Sequence, residues 1–219
     1  MTHELKSPLA SIKLCLETLA RPGLSAVQQA ELQEMMESDV ERLTVFVDDI
    51  LQASRTAHRR RSQTWTVVDV TRLLKSSVDG IRRRYHLDDS AFHLSAPEKI
   101  EMFTDPTALE IVFKNVLDNA VKYSSPEPQV QIGVRTLDSG HLAIVVKDRG
   151  IGIEHGQLRR IFRRFHRAPD PQVNERSGSG LGLYVVHRLL RNLGGRIRAE
   201  SDGPGKGTTM RIRLPMSVP

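Results

Sequence analysis

Cysteine, aromatic residues and long apolar runs are all scarce in this chain, and each shortage removes a class of protein. A single cysteine, Cys15, rules out an intramolecular disulfide and any cysteine-based metal cluster. The longest uninterrupted apolar stretches, such as Leu142 to Val146, fall far short of the roughly 18 to 20 residues that a membrane span requires. The chain opens on charged, periodic sequence with no basic segment leading into an apolar one, so no signal peptide is expected and the cytoplasm fits best. Aromatics make up 5% of the residues and are not interleaved with basic clusters such as Arg82-Arg83-Arg84, which argues against a single-strand nucleic-acid platform. The histidines show no paired spacing that suggests a metal site.

Charge, by contrast, is plentiful and unevenly placed. Lys and Arg outnumber Asp and Glu by 32 to 26, and a net +6 taken globally invites a nucleic-acid partner. Residues 1–57 hold five cations and nine carboxylates, net −4, whereas residues 58–219 hold 27 and 17, net +10. The excess belongs to one part only. A length of 219 residues suits one large domain or two small ones. The expected division is a helical hairpin over 1–57, a linker over 58–64, where no apolar residue occurs, and a larger domain over 65–219.

Leu5, Leu9, Ile12, Leu16 and Leu19 alternate at spacings of four and three, the seam of an amphipathic helix. Arg21-Pro22-Gly23 ends it, Ser25 is a candidate N-cap, and Leu32, Met36, Val40, Leu43, Val47 and Ile50 extend a second, longer helix. Two such helices bury little by themselves, so pairing with a second copy into a four-helix bundle is expected. Beyond the linker the pattern turns to mixed α and β. Strands are expected at 65–68, 129–137, 141–148, 196–201 and 208–214, with a hairpin formed by 91–95 and 99–103. Helices are expected at 70–86, 106–123 and 181–193, the second with Asp105 as N-cap and proline at its first position. The stretch 149–180, rich in Gly and Arg, reads as a long functional loop or lid.

Several residue groups have chemical potential, and each also has a bland reading. Asn115, Asn119 and Lys122 fall at i, i+4 and i+7 on one helix face, followed by Tyr123. Two carboxamide oxygens and an ammonium suit a phosphate-bound Mg²⁺, though a solvated polar face would look the same. Asp148 ends an apolar strand beside Gly150-Ile151-Gly152, a placement that also suits a cap of the following turn. Ser177-Gly178-Ser179-Gly180-Leu181-Gly182 runs into a helix, which makes either an anion site or a hinge. Gly203-Pro204-Gly205-Lys206-Gly207-Thr208 is a false P-loop, because Gly207 stands where Ser or Thr must follow the Lys. His3-Glu4 precedes Pro8, which should bend the helix beside an exposed imidazole whose neighbour is a carboxylate. Taken alone, such a histidine is ordinarily a surface residue.

In this order the motifs resemble the catalytic core of sensor histidine kinases of two-component systems over nearly the whole chain. His3-Glu4-Leu5-Lys6-Ser7-Pro8-Leu9 is similar to the H-box, and Asn115 to Ser124 to the N-box. Asp148-Arg149-Gly150-Ile151-Gly152-Ile153 is similar to the G1 box, Ile161 to Arg167 to the F-box, and Gly178 to Leu183 to the G2 box. Gly205-Lys206-Gly207-Thr208 matches the last glycine motif. The resemblance implies an α+β protein: an antiparallel hairpin forming a dimeric four-helix bundle, followed by an α/β sandwich ATP-binding domain of the type shared with gyrase and Hsp90.

Carried over residue by residue, the resemblance implies ATP and Mg²⁺ as cofactors. Asn115 and Asn119 would hold the metal, and Lys122 and Tyr123 would contact the triphosphate. Asp148 would accept from the adenine amino group, with Gly150 and Gly152 admitting the base. Gly178, Gly180, Leu181 and Gly182 would shape the phosphate side and the lid, and Thr208 would join the nucleotide site. His3 would receive the γ-phosphoryl group with Glu4 as base, and a response-regulator receiver aspartate would accept it next. In the related ATPases a glutamate four residues before the metal-binding asparagine activates water; here that position is Asn115, and Glu110 lies a turn too early. Ser7 stands where kinases that also dephosphorylate their regulator often carry Thr or Asn. The closeness of His3 to the start implies a piece of a longer, membrane-associated parent, although no membrane segment lies in this chain. An ATPase or serine kinase of the same fold, or a non-enzymatic dimeric module, remains the alternative; no nucleic-acid partner is expected.

Overall fold

The computed structural model describes residues 2–58, 64–124, 126–174, 176 and 178–216; the side chains of the first seven residues and of most positions from 41 to 58 lie outside that description. Two antiparallel helices come first, α1 (Thr2–Leu19) and α2 (Ala26–His58). Ser25 caps α2 reciprocally: its hydroxyl accepts from Gln28 N at 3.2 Å while Gln28 Oε1 accepts from Ser25 N at 3.0 Å, so two otherwise orphaned donors are satisfied. The helix α1 is continuous through Pro8. Cys15 is buried, yet Leu9, Leu16, Val40 and Val47 from the expected seams remain 47% to 55% exposed. The hairpin thus leaves an apolar face uncovered in the single chain.

The remainder comprises β1 (Thr66–Asp69), α3 (Val70–Tyr85), β2 (Phe92–Ser95), β3 (Glu101–Thr104), α4 (Pro106–Lys122), β4 (Val130–Leu137), β5 (His141–Lys147), the short α5 (Pro171–Asn174), α6 (Gly182–Asn192), β6 (Arg196–Glu200) and β7 (Thr209–Pro215). Five strands form one sheet in the order β2-β4-β5-β7-β6, and β1 pairs with β3 in a separate two-stranded ribbon. Alternation decides which face is covered. On β4, β5 and β7, Val130, Ile132, Val134, Leu142, Ile144, Val146, Met210, Ile212 and Leu214 turn inward and are buried. Against them pack α4 through Leu109, Val112, Phe113, Val116 and Leu117, and α6 through Val185, Val186, Leu189 and Leu190. Each fully buried Leu or Phe contributes about 1.5 to 3 kcal/mol by removal from water. The sheet and its helical layer form the expected α/β sandwich.

Local signals place α3 and α4. Asp69 caps α3 by accepting from Arg72 N, and Asp105 caps α4 by accepting from Ala108 N at 3.1 Å ahead of Pro106. The expected hairpin of 91–95 with 99–103 does not form. Instead β2 runs parallel to β4, with Phe92 opposite Val130, and β3 runs antiparallel to β1, with Met102 opposite Val68. Burial is the physical reason. Met102 and Ile100 are buried with the core, and Phe92 and Leu94 pack onto it from the sheet edge, which a local pairing across Pro97 would not achieve. Of the expected linker, residues 59–63 lie outside the described set.

Candidate functional site

The helix α4 has two faces with separate tasks. One carries the core residues named above; the other brings Asn115, Asn119 and Lys122 onto the wall of a cavity of about 670 Å³. The i, i+4, i+7 spacing therefore places these three side chains together, and Tyr123 joins them where the helix ends. Asn115 Nδ2 donates to Ile111 O at 2.9 Å, which orients the carboxamide and leaves Oδ1 as the group offered outward. A β-carbon added to Gly182 would lie 2.6 Å from that oxygen, so the opening turn of α6 fits against Asn115 only because residue 182 has no side chain. Among the described residues no side chain of the N-cap position caps α6, and its opening backbone N–H groups supply the positive end of the helix dipole beside the two carboxamides.

Opposite α4, Asp148 follows β5 and is buried, 7% exposed. Its Oδ1 accepts from Gly150 N at 2.9 Å and from Thr208 N at 3.0 Å, which leaves Oδ2 for a further donor. Burial raises the Asp148 carboxyl above the ordinary range, opposed by those two backbone donors. Val146, Ile151 and Met210 line the cavity beside it and give that end an apolar wall. One hydrogen-bond acceptor in an apolar slot recognises a flat group bearing an amino donor, and the amide-rich end by α6 recognises an anion. The two ends together suit a purine nucleotide.

Described residues of the segment 149–180 line the third side. The segment is built from 3-10 turns at His155–Gln157 and Arg160–Phe162, the short α5, and loops. Arg167 holds it together: its guanidinium donates to the carbonyls of Gly178 at 3.0 Å, Arg176 at 2.6 Å, and Val173. Arg176 in turn donates to Ser124 O at 3.1 Å, tying the lid to the end of α4. His166 meets Gln157 Oε1 at 2.8 Å, and burial, with Arg160 and Arg163 nearby, holds its imidazole below the usual value. Tyr123 is raised chiefly by burial, against the opposing effect of Arg167 and Arg176.

Of the residues expected at the site, Asn115, Asn119, Lys122, Tyr123, Asp148, Gly152, Gly178, Gly180, Gly182 and Thr208 all line the cavity. Two are placed differently. Leu181 is fully buried in the core, so its side chain anchors α6 and does not line the cavity. Gly150 sits under Tyr123, where a β-carbon would lie 2.2 Å from the Tyr123 carbonyl, so its smallness serves protein packing more than ligand approach. Gly152, with φ +70°, similarly approaches the Gly203 carbonyl, 2.1 Å from where a β-carbon would stand. His3 and Glu4 occupy the first turn of α1, and their side chains lie outside the described residues.

Sequence reasoning passed over Asp118, whose Oδ1 receives Arg84 Nη1 at 3.1 Å and Tyr85 Oη at 2.9 Å and so clasps α3 to α4 at the cavity rim. In the lid segment Arg159, Arg160, Arg163 and Arg164 are exposed, whereas Arg167 is drawn inward. No periodic signal could separate it, because the segment is not helical there. Glu110 forms an ion pair with Lys114 at 2.7 Å and does not line the cavity. Among the described residues no group of three or more His, Cys, Asp or Glu is arranged to hold a metal. A cation there would therefore rely on amide oxygens, phosphate and water, which is a coordination Mg²⁺ accepts.

Residues 104–218 match the family described as histidine kinase-, DNA gyrase B- and HSP90-like ATPase, and residues 1–59 match the His Kinase A (phospho-acceptor) domain. The chain is 32% identical to the signal transduction histidine-protein kinase/phosphatase MprB of Mycolicibacterium paratuberculosis over 97% of its own length and 41% of that protein. It thus spans about two fifths of that relative. The solved structure of a mycobacterial sensor histidine kinase MprB is 31% identical and superposes with a TM-score of 0.59, covering 69% of this chain and 97% of that one. Acinetobacter baumannii histidine kinase AdeS, 19% identical, shares the fold with a TM-score of 0.70 over 99% of this chain and 98% of that one.

Proposed function

The chain belongs to the sensor histidine kinases, and from that premise we propose that it uses Mg²⁺-ATP to phosphorylate its own His3 and passes the phosphoryl group to an aspartate of a response-regulator receiver domain. The observation that carries the proposal is the cavity itself, in which a buried carboxylate at one end faces a carboxamide pair and an uncapped helix start at the other. Asp148 Oδ2 would accept from the adenine amino group while Oδ1 stays fixed by Gly150 and Thr208. Lys122, Tyr123 and the α6 amides would hold the phosphates. Asn115 and Asn119 would hold Mg²⁺, which when bound neutralises charge on the triphosphate. His3 would act as nucleophile with Glu4 accepting its proton.

The residues present favour transfer to protein over hydrolysis. Asn115 stands where a water-activating carboxylate would be needed, and Glu110, the nearest candidate, is engaged by Lys114. The uncovered stripe of Leu9, Leu16, Val40 and Val47 supports homodimerisation through residues 1–57. Residues 65–219 then form the nucleotide-binding domain, with 58–64 as linker. No described helix is long and apolar enough to cross a membrane; the proposed setting is the cytoplasmic side of a longer, membrane-associated parent. The reading is tested by phosphorylating the chain with γ-labelled ATP and adding a receiver domain. Loss of label from the chain with gain on the receiver is expected; steady release of phosphate with no labelled protein would favour the ATPase alternative.

A further inference from the structure

Among the described residues, no helix covers one face of the five-stranded sheet, whose other face packs against α4 and α6. Its outward positions alternate with the buried residues and hold Arg135, Lys147, Arg196, Arg198, Arg211 and Arg213. The register aligns them. Arg135 stands opposite Ala143, Ala143 opposite Arg213, and Arg213 opposite Arg196, giving one row across four strands. The next row runs Gly133, Val145, Arg211 and Arg198. Two arginine pairs therefore face each other directly across β6 and β7, an arrangement that costs stability in a sheet. Glu200, bonded to Arg211 Nε at 2.7 Å, is the one carboxylate among these outward positions; Asp138 and Asp202 belong to turns at the rim.

We propose that this arginine face docks on the phosphate headgroups of an anionic bilayer. Charge complementarity is the first argument: guanidinium forks pair with phosphate in a bidentate geometry, and strands about 4.8 Å apart spread them over several headgroups. The second is what the face omits. Among the described residues the exposed large apolar side chains sit on the hairpin and at Val67 and Phe103 of the two-stranded ribbon, and the outward apolar positions of this face, Leu137, Ala143 and Val145, are half-buried, so it lacks the protruding aromatic and large aliphatic anchors on which protein interfaces depend. Nor does it present aromatics for stacking bases. The third is position. The cavity and the helical layer lie on the other side of the sheet, and α2 meets the chain through α6 in that layer, so neither a nucleotide nor the acidic hairpin of the same chain covers the arginines.

The test is co-sedimentation of the full chain with vesicles of phosphatidylcholine alone and of three parts phosphatidylcholine to one part phosphatidylglycerol. Binding is expected to the anionic vesicles only and to weaken with salt. The triple variant Arg135→Gln, Arg196→Gln, Arg198→Gln should lose roughly a hundredfold in vesicle affinity and keep nucleotide binding, which reports that it is folded. Failure of the wild type to sediment with anionic vesicles would overturn the proposal. So would wild-type binding by the variant, which would assign the attraction to other cations such as Arg59-Arg60-Arg61. Tighter binding to duplex DNA than to the vesicles, lost in the same variant, would make the face a nucleic-acid surface instead.

Discussion

The carboxamide oxygen of Asn115 rests against the backbone of Gly182, 2.6 Å from the point where a β-carbon would stand. This contact joins the two motifs that border the end of the cavity proposed to hold the phosphates. Gly182→Ala is compatible with a helical backbone and lowers the entropy of the unfolded chain, so the melting temperature should stay within a few degrees. The added methyl must push Asn115 out of its rotamer and break its bond to Ile111 O. Calorimetry should then record roughly a tenfold loss of nucleotide affinity in the presence of Mg²⁺, and a smaller loss without it.

Asp148 separates binding from stability. Its folded-state pKa lies above that of the unfolded chain because burial disfavours the charge. Any stability it contributes is thus present at acid pH and lost as the pH rises through the raised value. Nucleotide affinity runs the opposite way, because only the carboxylate accepts from an amino group with full strength, so binding should weaken as the pH falls toward that value. Asp148→Asn keeps an oxygen for Gly150 and Thr208 but presents an NH₂ to the base. Affinity should drop about 10- to 100-fold, lose this pH dependence, and leave unfolding in urea within about 1 kcal/mol of the parent at neutral pH.

Gly152 makes a contrasting prediction. Its φ of +70° and the Gly203 carbonyl that a β-carbon would meet at 2.1 Å both oppose any side chain, and the obstacle is backbone. Gly152→Ala should cost about 2 to 4 kcal/mol of folding stability in denaturant titration, unlike Gly182→Ala, where the obstacle is a movable side chain.

Charge placed on the exposed seam of the hairpin should oppose assembly. Leu16 and Val40 are 55% and 53% exposed in the single chain, so Leu16→Glu with Val40→Glu removes far less packing from the monomer than a core substitution would. Sedimentation equilibrium should find dimer for the parent and monomer for the variant, with nucleotide binding retained.

Much of this was legible in the sequence where the signal is local. Asp105-Pro106 announced α4, Ser25 announced the start of α2, and the spacing of Asn115, Asn119 and Lys122 announced the face that lines the cavity, because helix geometry alone fixes those relations. Partner choice between strands was not legible. The segments at 91–95 and 99–103 look like a hairpin, and only the demand to bury Ile100 and Met102 while extending the sheet sends them to separate partners. The same limit hid Asp118 and Arg167, whose contacts join residues 33 or 34 positions apart in one case and bind irregular lid backbone in the other. The net +10 of residues 58–219 was legible as a number but not as a place: Lys122 and Arg167 face the cavity, while six other cations lie on the far side of the sheet.

The central claim is that the cavity serves His3. Incubation with γ-labelled ATP and Mg²⁺, followed by acid and alkali treatment, tests it most directly across the parent chain, His3→Gln and Asn119→Ala. Label that is acid-labile and alkali-stable is expected in the parent, absent in His3→Gln although that variant still binds ATP, and strongly reduced in Asn119→Ala. Label retained in His3→Gln, or label stable to acid, would contradict it.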